Sequence, residues 1–487
     1  MAIVSQQRAR TGRGAELGLL ALALVLVVGA YAQVSLAVTG ELPANLATRA
    51  GGLAVLALAA HMLVRWKAPY ADPVLLPIVV ALNGIGLTMI YRIDLASTAR
   101  GGDGGDADRQ LMWTLVGVVA AVAVLWFLRD HRVLRRYTYT AMVAGLVLLV
   151  LPLVPGLGVS INGARIWIHF GSALSFQPGE LAKIVLAIFF AGYLVTNRDT
   201  LALAGPKVLG LQLPRARDLG PILLAWGVSL AVLVLERDLG TSLLFFGLFV
   251  AMLYVATERL SWVVIGLALF AGGALAAAAL FPHVGARFDV WLNALDPEVY
   301  NRSPGGSGQV VQGLFGMASG GLTGTGWGYG YPQLVPYANS DFIVASLGEE
   351  LGLTGLLAIL LLYLTLAQRG MRAAIGVRDG FGKLLASGLA FVLAFQVFVV
   401  VGGVTRLIPL TGLTTPFLAL GGSSLVSNWI IVALLLRISD AARRPAPPAP
   451  EPAPEDVAPA APVEVGDDAA RRRPGPADGQ ATEVVQL

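Results

Sequence analysis

The sequence has 487 residues, of which 56% are hydrophobic and only 13% are charged. Soluble domains carry about 25% charged residues, so this composition excludes an ordinary soluble globule or a disordered chain and favours a polytopic membrane protein. The small net charge of +4 gives no reason to expect nucleic acid, and the absence of cysteine excludes disulfides, thiolate metal sites and cysteine nucleophiles.

Apolar segments long enough to cross a bilayer recur along most of the chain. We predict an all-α fold with about twelve transmembrane helices. The first segment follows three arginines and has no small-residue cleavage site after it, so we interpret it as a retained helix rather than a signal peptide. The predicted spans are 15–36, 46–64, 73–91, 111–128, 137–155, 179–196, 219–235, 239–256, 261–281, 342–367, 384–405 and 414–437.

The basic residues of the loops are distributed asymmetrically. If the N-terminus is cytoplasmic, the inner loops carry clusters such as Arg132, Arg135 and Arg136, whereas the outer loops carry fewer basic residues. The positive-inside rule then predicts that both termini are cytoplasmic. We expect the membrane to be the cytoplasmic (inner or plasma) membrane. Segments 156–178 and 282–340 would lie outside, and so long a loop as the second is typical of a functional segment.

Charged residues within apolar spans cost a few kcal/mol each, so they are the first candidates for functional groups. In FQPGELAKIVLAIFF, Glu180 and Lys183 lie three residues apart on one helical face. They form either a local ion pair at a helix end or a site in which Lys183 presents its charge to an anionic lipid headgroup. Arg165 lies on the preceding outer segment, on the same side of the membrane.

A short hinge, LERDLGTSL, separates two apolar runs. Asp238 in this hinge has two interpretations. It caps the following helix, or it faces inward and pairs with Lys183.

The motif NSDFIVASLGEELGLTG opens the tenth predicted span. Asp341 is a candidate helix cap. At about 100° per residue, Glu349 lies roughly 80° from Asp341 around the helix, whereas Glu350 lies opposite. Three acids on one membrane helix, with Lys183 and Arg165 available, predict a polar cavity.

Two further segments are rich in glycine or proline. The loop SPGGSGQVVQGLFGMASGGLTGTGWGYGYPQ lacks both the P-loop and the dinucleotide-binding pattern, and the chain has no nucleophile elbow with a plausible histidine base. The segment PLTGLTTPFLALGGSS predicts a broken helix entry that lines a cavity.

Five motifs in order, GARIWI, FQPGELAK, DLGTSL, SDFIVASLGEELGLTG and PLTGLTTPF with GGSS, resemble the SEDS family (shape, elongation, division, sporulation) of the RodA/FtsW type. The resemblance covers about residues 73–440. It implies a peptidoglycan glycosyltransferase that polymerises lipid II at the outer face of the membrane and extends an undecaprenyl-linked glycan strand. It also implies a class B penicillin-binding protein as the transpeptidase partner. The family's essential carboxylate corresponds to Asp341, its pocket lysine and aspartate to Lys183 and Asp238, and its arginine to Arg165.

The sequence departs from the family pattern in three places. Glu236-Arg237 replaces the usual Gln-Pro, and Ala419-Leu420 replaces Ser-Tyr. Two extra spans precede the ten-span core, a feature closer to elongation-type members from actinobacteria than to division-type members. The predicted domains are therefore an extension (1–72), the SEDS-like core (73–440) and a disordered, Pro/Ala-rich cytoplasmic tail (441–487).

The implied reaction needs a base for the acceptor hydroxyl and cations for the departing diphosphate. We predict Asp341 as the base of an inverting transfer, with Lys183 and Arg165 stabilising the diphosphate. Asp238 would orient Lys183, while Glu180 and Glu349 would complete the substrate-binding network. No cofactor is evident and the four histidines lack metal-ligand spacing, although a divalent cation would help to neutralise the diphosphate.

Two other classes of protein fit a polytopic chain with buried charges. A lipid-linked precursor flippase needs functional groups accessible from both faces, whereas the motifs here cluster on the predicted outer side. A scaffold that only recruits synthesis enzymes predicts that replacing Lys183 or Asp341 has no effect.

Overall fold

The computed structural model describes residues 11–161, 164–170, 174–202, 207–208, 211–212 and 220–445. One compact unit ends at Arg444. Apart from its first five residues, the predicted tail 441–487 lies outside the described residues.

Helices dominate the described part of the chain. They are α1 (Arg13–Thr39), α2 (Leu46–Lys67), α3 (Leu75–Ala99), α4 (Asp106–Phe127), α5 (Thr138–Val150), α6 (Pro178–Ala202), α7 (Gly220–Leu235), α8 (Leu239–Thr257), α9 (Leu260–Leu280), α10 (Pro282–Leu292), α11 (Pro297–Tyr300), α12 (Gly308–Gly320), α13 (Ile343–Gly376), α14 (Gly380–Val404) and α15 (Gly422–Arg443). Short 3-10 helices occupy His131–Tyr137, Leu151–Leu153 and Pro332–Leu334.

Eleven helical segments of the described residues are long and apolar enough to cross a membrane, so the all-α membrane architecture is confirmed. The count of twelve is not confirmed. The helix over the predicted span 219–235 is α7, which has only 16 residues and is shorter than the roughly 17–25 residues typical of a span.

A small sheet interrupts the helices between α5 and α6, within the predicted outer segment 156–178. Strands β1 (Gly158–Ile161), β2 (Ala164–Phe170) and β3 (Leu174–Phe176) pair antiparallel in chain order. The register places Val159 opposite Trp167 and His169 opposite Ser175. A second, minimal pair joins β4 (Lys207–Val208) to β5 (Leu211–Gln212).

The last predicted span, 414–437, begins later in the structure, because residues 405–421 are not helical and α15 starts at Gly422. Side chains of neighbouring helices satisfy the free carbonyls of this segment. The amide of Gln396 donates to the Thr414 carbonyl at 2.9 Å, the amide of Gln110 donates to the Ala419 carbonyl at 2.9 Å, and the Tyr363 hydroxyl donates to the Pro416 carbonyl. Irregular backbone is tolerated among membrane helices only when it is satisfied in this way.

Candidate active site

Asp238 caps helix α8. Its carboxylate accepts a hydrogen bond from the Thr241 N–H at 3.1 Å and another from the Thr241 hydroxyl. The first of the two interpretations of Asp238, that it caps the following helix, is therefore what the structure shows. Asp238 is also buried, and burial raises the pKa of its carboxyl, a shift that the Thr241 bonds and the Arg287 charge oppose.

The sheet docks against the same hinge. The backbone N–H of Arg165 on β2 donates to the carbonyl of Glu236 at 3.1 Å. This bond places Arg165 beside the residues that precede α8, and its side chain is exposed. The strand therefore brings the backbone of Arg165 close to the start of α8, a proximity that the sequence analysis did not predict.

Arg287 is a site residue that the sequence analysis missed. It lies on α10, and one guanidinium nitrogen donates to the carbonyls of Leu410 and Thr411, each at 3.0 Å. These bonds join α10 to the irregular segment 405–421. The sequence offered no signal beyond an arginine in the long outer loop, because only the fold brings α10 to the start of α8.

Asp341 lies immediately before α13 and is partly exposed. Burial raises the pKa of Asp341 to about 7; the Arg287 charge lowers it, and the Asp238 charge raises it. Since Arg287 also lowers the pKa of Asp238, Asp238, Arg287 and Asp341 form one electrostatic cluster, which we call the carboxylate–arginine cluster. A carboxyl that gains and loses its proton near neutral pH is suited to general-base catalysis.

Glu236 adds a third carboxyl beside this cluster. It is buried, and burial together with the Asp238 charge raises its pKa to about 8. The replacement of the family's usual glutamine by Glu236 thus places a protonated, neutral carboxyl at the hinge at neutral pH.

Glu180 and Lys183 form the local ion pair that was one of the two interpretations of this motif, and both side chains are buried. The Lys183 ammonium contacts a Glu180 carboxylate oxygen at 2.6 Å, Gln396 Oε1 at 3.0 Å and Asn428 Oδ1 at 3.0 Å. An ammonium has three donors, so its capacity is filled within the protein. No hydrogen bond or ion pair joins Lys183 to Asp238, both of which are described, so no direct contact supports the prediction that Asp238 orients Lys183, and it stays a prediction.

Glu349 and Glu350 hold the glycine-rich loop. Glu350 forms an ion pair with Arg92 at 2.9 Å and accepts the Gly328 N–H at 2.9 Å. Glu349 accepts the Tyr331 N–H at 2.6 Å. Protein groups thus bind both carboxylate oxygens of Glu350 and one of Glu349, so these two acids serve to hold the loop. The polar cavity expected from all three acids of this helix stays a prediction.

A groove of about 1090 Å³ runs between α8, α9 and α14, and apolar side chains line nearly all of it. One end includes Leu239, next to Asp238, and Thr411, whose carbonyl accepts from Arg287. The other end reaches Tyr254 and Met371, near the opposite ends of α8 and α13. A long apolar channel that ends beside charged groups fits an amphipathic substrate with a lipid tail and an anionic head.

No metal or cofactor site follows from these side chains. Within the described ranges, no group of three or more His, Asp or Glu residues is arranged to hold a metal ion. The predicted assistance by a divalent cation stays a prediction.

Comparisons with known proteins show which proteins this chain is similar to. The chain is 51% identical over 440 residues to a Mycobacterium tuberculosis protein named peptidoglycan glycosyltransferase RodA, covering 89% of this chain and 92% of the relative. A Mycobacterium leprae protein of the same name is 48% identical over 437 residues, covering 89% and 92% of the two chains. These relatives confirm the predicted likeness to actinobacterial members and favour a glycosyltransferase over a flippase.

Solved structures show the same fold. The crystal structure of the Thermus thermophilus rod shape determining protein RodA is similar with a TM-score of 0.52 and 26% identity, covering 76% of this chain and 96% of that one. A chain from a study titled "Structural coordination of polymerization and crosslinking by a peptidoglycan synthase complex" has a TM-score of 0.50 and 27% identity, covering 80% and 96%. Residues 73–444 match the cell cycle protein family that comprises FtsW, RodA and SpoVE, and the chain belongs to this family.

Proposed function

We propose that this protein polymerises lipid II into glycan strands, with Asp341 as the base that takes the proton from the acceptor sugar hydroxyl. The observation that carries the proposal is the position of the carboxylate–arginine cluster at one end of the apolar groove. The groove accommodates part of the polyprenyl chain, and the cluster meets the diphosphate and the sugar. Peptidoglycan glycosyltransferase activity is also the activity named for the mycobacterial relatives.

The acceptor hydroxyl loses its proton to Asp341 while its oxygen attacks the anomeric carbon and the lipid diphosphate departs with the bonding electrons. This single displacement inverts the anomeric carbon and needs no covalent enzyme intermediate. A positioned base of this kind contributes about 10²–10⁴-fold in rate. A pKa of about 7 leaves much of Asp341 ionised at neutral pH and makes it a stronger base than an ordinary aspartate.

The departing diphosphate needs cationic partners. Arg287 is in electrostatic contact with Asp341, and Arg165 presents an exposed side chain from the strand docked beside Asp238. We assign diphosphate stabilisation to these two arginines. Lys183 is reassigned to an internal role with Glu180, because its contacts lie within the helix bundle.

The membrane topology and the partner belong to the same proposal. This topology counts the short helix α7 as a twelfth span, which places both termini in the cytoplasm. The cluster then faces outward from the cytoplasmic membrane, where the glycan strand is built for cell elongation and shape. A class B penicillin-binding protein supplies transpeptidation. The likeness to a peptidoglycan synthase that coordinates polymerisation with crosslinking supports this partner.

The test uses full-length protein in proteoliposomes with labelled lipid II, with and without a class B penicillin-binding protein, and resolves glycan strands by gel electrophoresis. Asp341→Asn should lower the polymerisation rate by about 10²–10⁴-fold while the protein stays folded and inserted. Asp296→Asn is the matched control, since Asp296 is an exposed cap on the same outer segment and asparagine also caps helices.

Two outcomes would contradict the proposal. Polymerisation by Asp341→Asn at the rate of the Asp296→Asn control would remove Asp341 as the base. Translocation of labelled lipid II across the bilayer by wild type and by Asp341→Asn alike, with no strand formation by either, would favour a flippase.

A further inference from the structure

Helix α1 precedes the family-matched residues 73–444, yet it is firmly attached at its beginning. Glu16 binds His61 of α2, with Oε1 2.7 Å from Nδ1, and pairs with Arg13. Arg13 also donates to the carbonyls of Pro69 and Ala71. The three side chains are buried, and ionisable groups are retained in apolar helices only when they have partners. These contacts fix the beginning of α1 to α2 and to the segment that follows α2.

The other end of α1 is attached to α3. The rings of Tyr31 and Tyr91 are 4.3 Å apart between centroids. The Arg49 guanidinium lies 5.2 Å from the Tyr91 ring and donates to the Tyr31 hydroxyl at 3.0 Å. Helix α1 is therefore held at both ends, and Tyr91 is the neighbour in sequence of Arg92, which binds the glycine-rich loop.

Beyond Tyr31, in its last two turns, α1 touches that loop directly at Gly328. A Cβ atom at Gly328 would lie 2.6 Å from the Cβ of Ala37 and 3.3 Å from the carbonyl oxygen of Val34. The backbone of Gly328 has a φ of +86°, which L side chains rarely adopt. Both facts require glycine here and allow α1 to approach the loop backbone.

The same loop is hydrogen-bonded to helix α13. Gly328 donates its N–H to Glu350, and Tyr331 donates its N–H to Glu349, at 2.9 and 2.6 Å. Arg92 bridges the two sides, because it pairs with Glu350 and donates to the Gly330 carbonyl at 2.7 Å. Any shift of the loop away from α1 must move these acceptors or break the bonds.

The first turns of α13 are also enclosed by α12, which leads into the loop. A Cβ at Gly313 would lie 2.8 Å from the Phe342 ring, and one at Gly320 would lie 2.2 Å from the Gly348 carbonyl oxygen. The chain from α12 through the loop therefore packs around the part of α13 that follows Asp341. Since Phe342 is the next residue after Asp341, the position of this packing sets the position of the proposed base.

We propose that α1 is a positioning element for the reaction, in which the contact of Ala37 with Gly328 holds the glycine-rich loop and thereby places Asp341 against Arg287 and Asp238. This inference rests on the proposed function of Asp341. It assigns a catalytic consequence to a helix that lies outside the family-matched core.

The test compares Gly328→Ala with Gly326→Ala in full-length protein in proteoliposomes. Both positions have a positive φ, but a Cβ at Gly326 would meet only the Tyr329 ring, at 3.4 Å. Gly328→Ala should lower the lipid II polymerisation rate per folded molecule by about tenfold or more, because small misplacements of a reacting group have effects of this size. Gly326→Ala should lower it much less.

A second pair of variants changes α1 and leaves the loop sequence intact. Ala37→Val adds bulk at the Gly328 contact and should lower the rate, whereas Gly29→Ala on the same helix meets open space and should not. Ala37→Gly should restore part of the rate of Gly328→Ala, since it removes the Ala37 Cβ but leaves the positive φ and the Val34 carbonyl contact. The comparison of Ala37→Val with Gly29→Ala keeps the test valid if Gly328→Ala fails to fold.

The pH profile separates a positioning role from a loss of active molecules. An inactive fraction lowers the rate equally at all pH values, whereas displacement of Asp341 from Arg287 and Asp238 moves the acid limb of kcat/KM. Ala37→Val with an unshifted limb and a wild-type rate would overturn the inference. Absence of polymerisation by the wild type would instead contradict the proposed function, on which the role of α1 rests.

Discussion

Acids lie both just before α13 and in its second turn, and their surroundings differ. In the second turn, Glu349 and Glu350 are bound by backbone N–H groups and by Arg92. Before the first turn, Asp341 shares one arginine with Asp238 and has a pKa raised to about 7. The same chemical group is thus structural where protein donors bind its oxygens, and we propose that it is the reactive base where two carboxyls share one arginine.

The pair Glu180–Lys183 belongs with the structural acids, and its replacement gives the largest expected change in stability. Lys183→Met should lower the free energy of unfolding by about 3–5 kcal/mol, because it leaves Glu180 charged, buried and without its partner. Chemical unfolding in detergent micelles measures this change. Replacing Glu180 as well, in Lys183→Met/Glu180→Leu, should restore part of the stability. If Lys183→Met were fully stable but inactive, Lys183 would belong to the substrate site rather than to the structural group.

Glu350→Gln and Asp341→Asn should have effects of opposite sign on stability. Glu350→Gln weakens the bonds to Arg92 and Gly328 and should cost about 1–3 kcal/mol of unfolding free energy. Burial raises the pKa of Asp341 in the folded protein, so ionisation of Asp341 destabilises the fold as the pH rises toward 7.

Asp341→Asn removes that charge and should be at least as stable as wild type above pH 7, and the difference should vanish in acid. Unfolding of both variants and wild type across this pH range measures the contrast. If both variants were destabilised equally at neutral pH, the proposed difference between Glu350 as a structural acid and Asp341 as a reactive one would be contradicted.

The smallest expected effects are shifts in the pH dependence of polymerisation. Arg287 lowers the pKa of Asp341 and Asp238 raises it, so Arg287→Gln should move the acid limb of kcat/KM to higher pH. Asp238→Asn should move it to lower pH, and asparagine can still cap α8. If the acid limb moved in the same direction in both variants, it would not reflect the ionisation of Asp341.

Much of the architecture could be predicted from the sequence, since apolar runs and basic loops determine where membrane helices begin and end. The sheet before α6 was missed because β1 and β3 are only four and three residues long. Its sequence does contain Asn162-Gly163, a hairpin signal that the sequence analysis did not use. The break before α15 followed correctly from the prolines and glycines of PLTGLTTPFLALGGSS.

The site was harder to predict than the fold. The motif identified Asp341 and Asp238, but pairing depends on which helices meet in space. Lys183 finds its partners on α14 and α15, more than 200 residues away in sequence. Arg287 joins the site because α10 folds back onto residues 410–411. Neither contact leaves a local pattern in the sequence.

The central claim is that Asp341 acts as a base whose proton affinity is set by the carboxylate–arginine cluster. The most direct measurement is kcat/KM for lipid II against pH with the wild-type protein in proteoliposomes. The account predicts a level rate above pH 7 and, below it, a fall of about tenfold for each pH unit, because the protonated carboxyl cannot accept a proton. A rate that stays level well below pH 7 would contradict it.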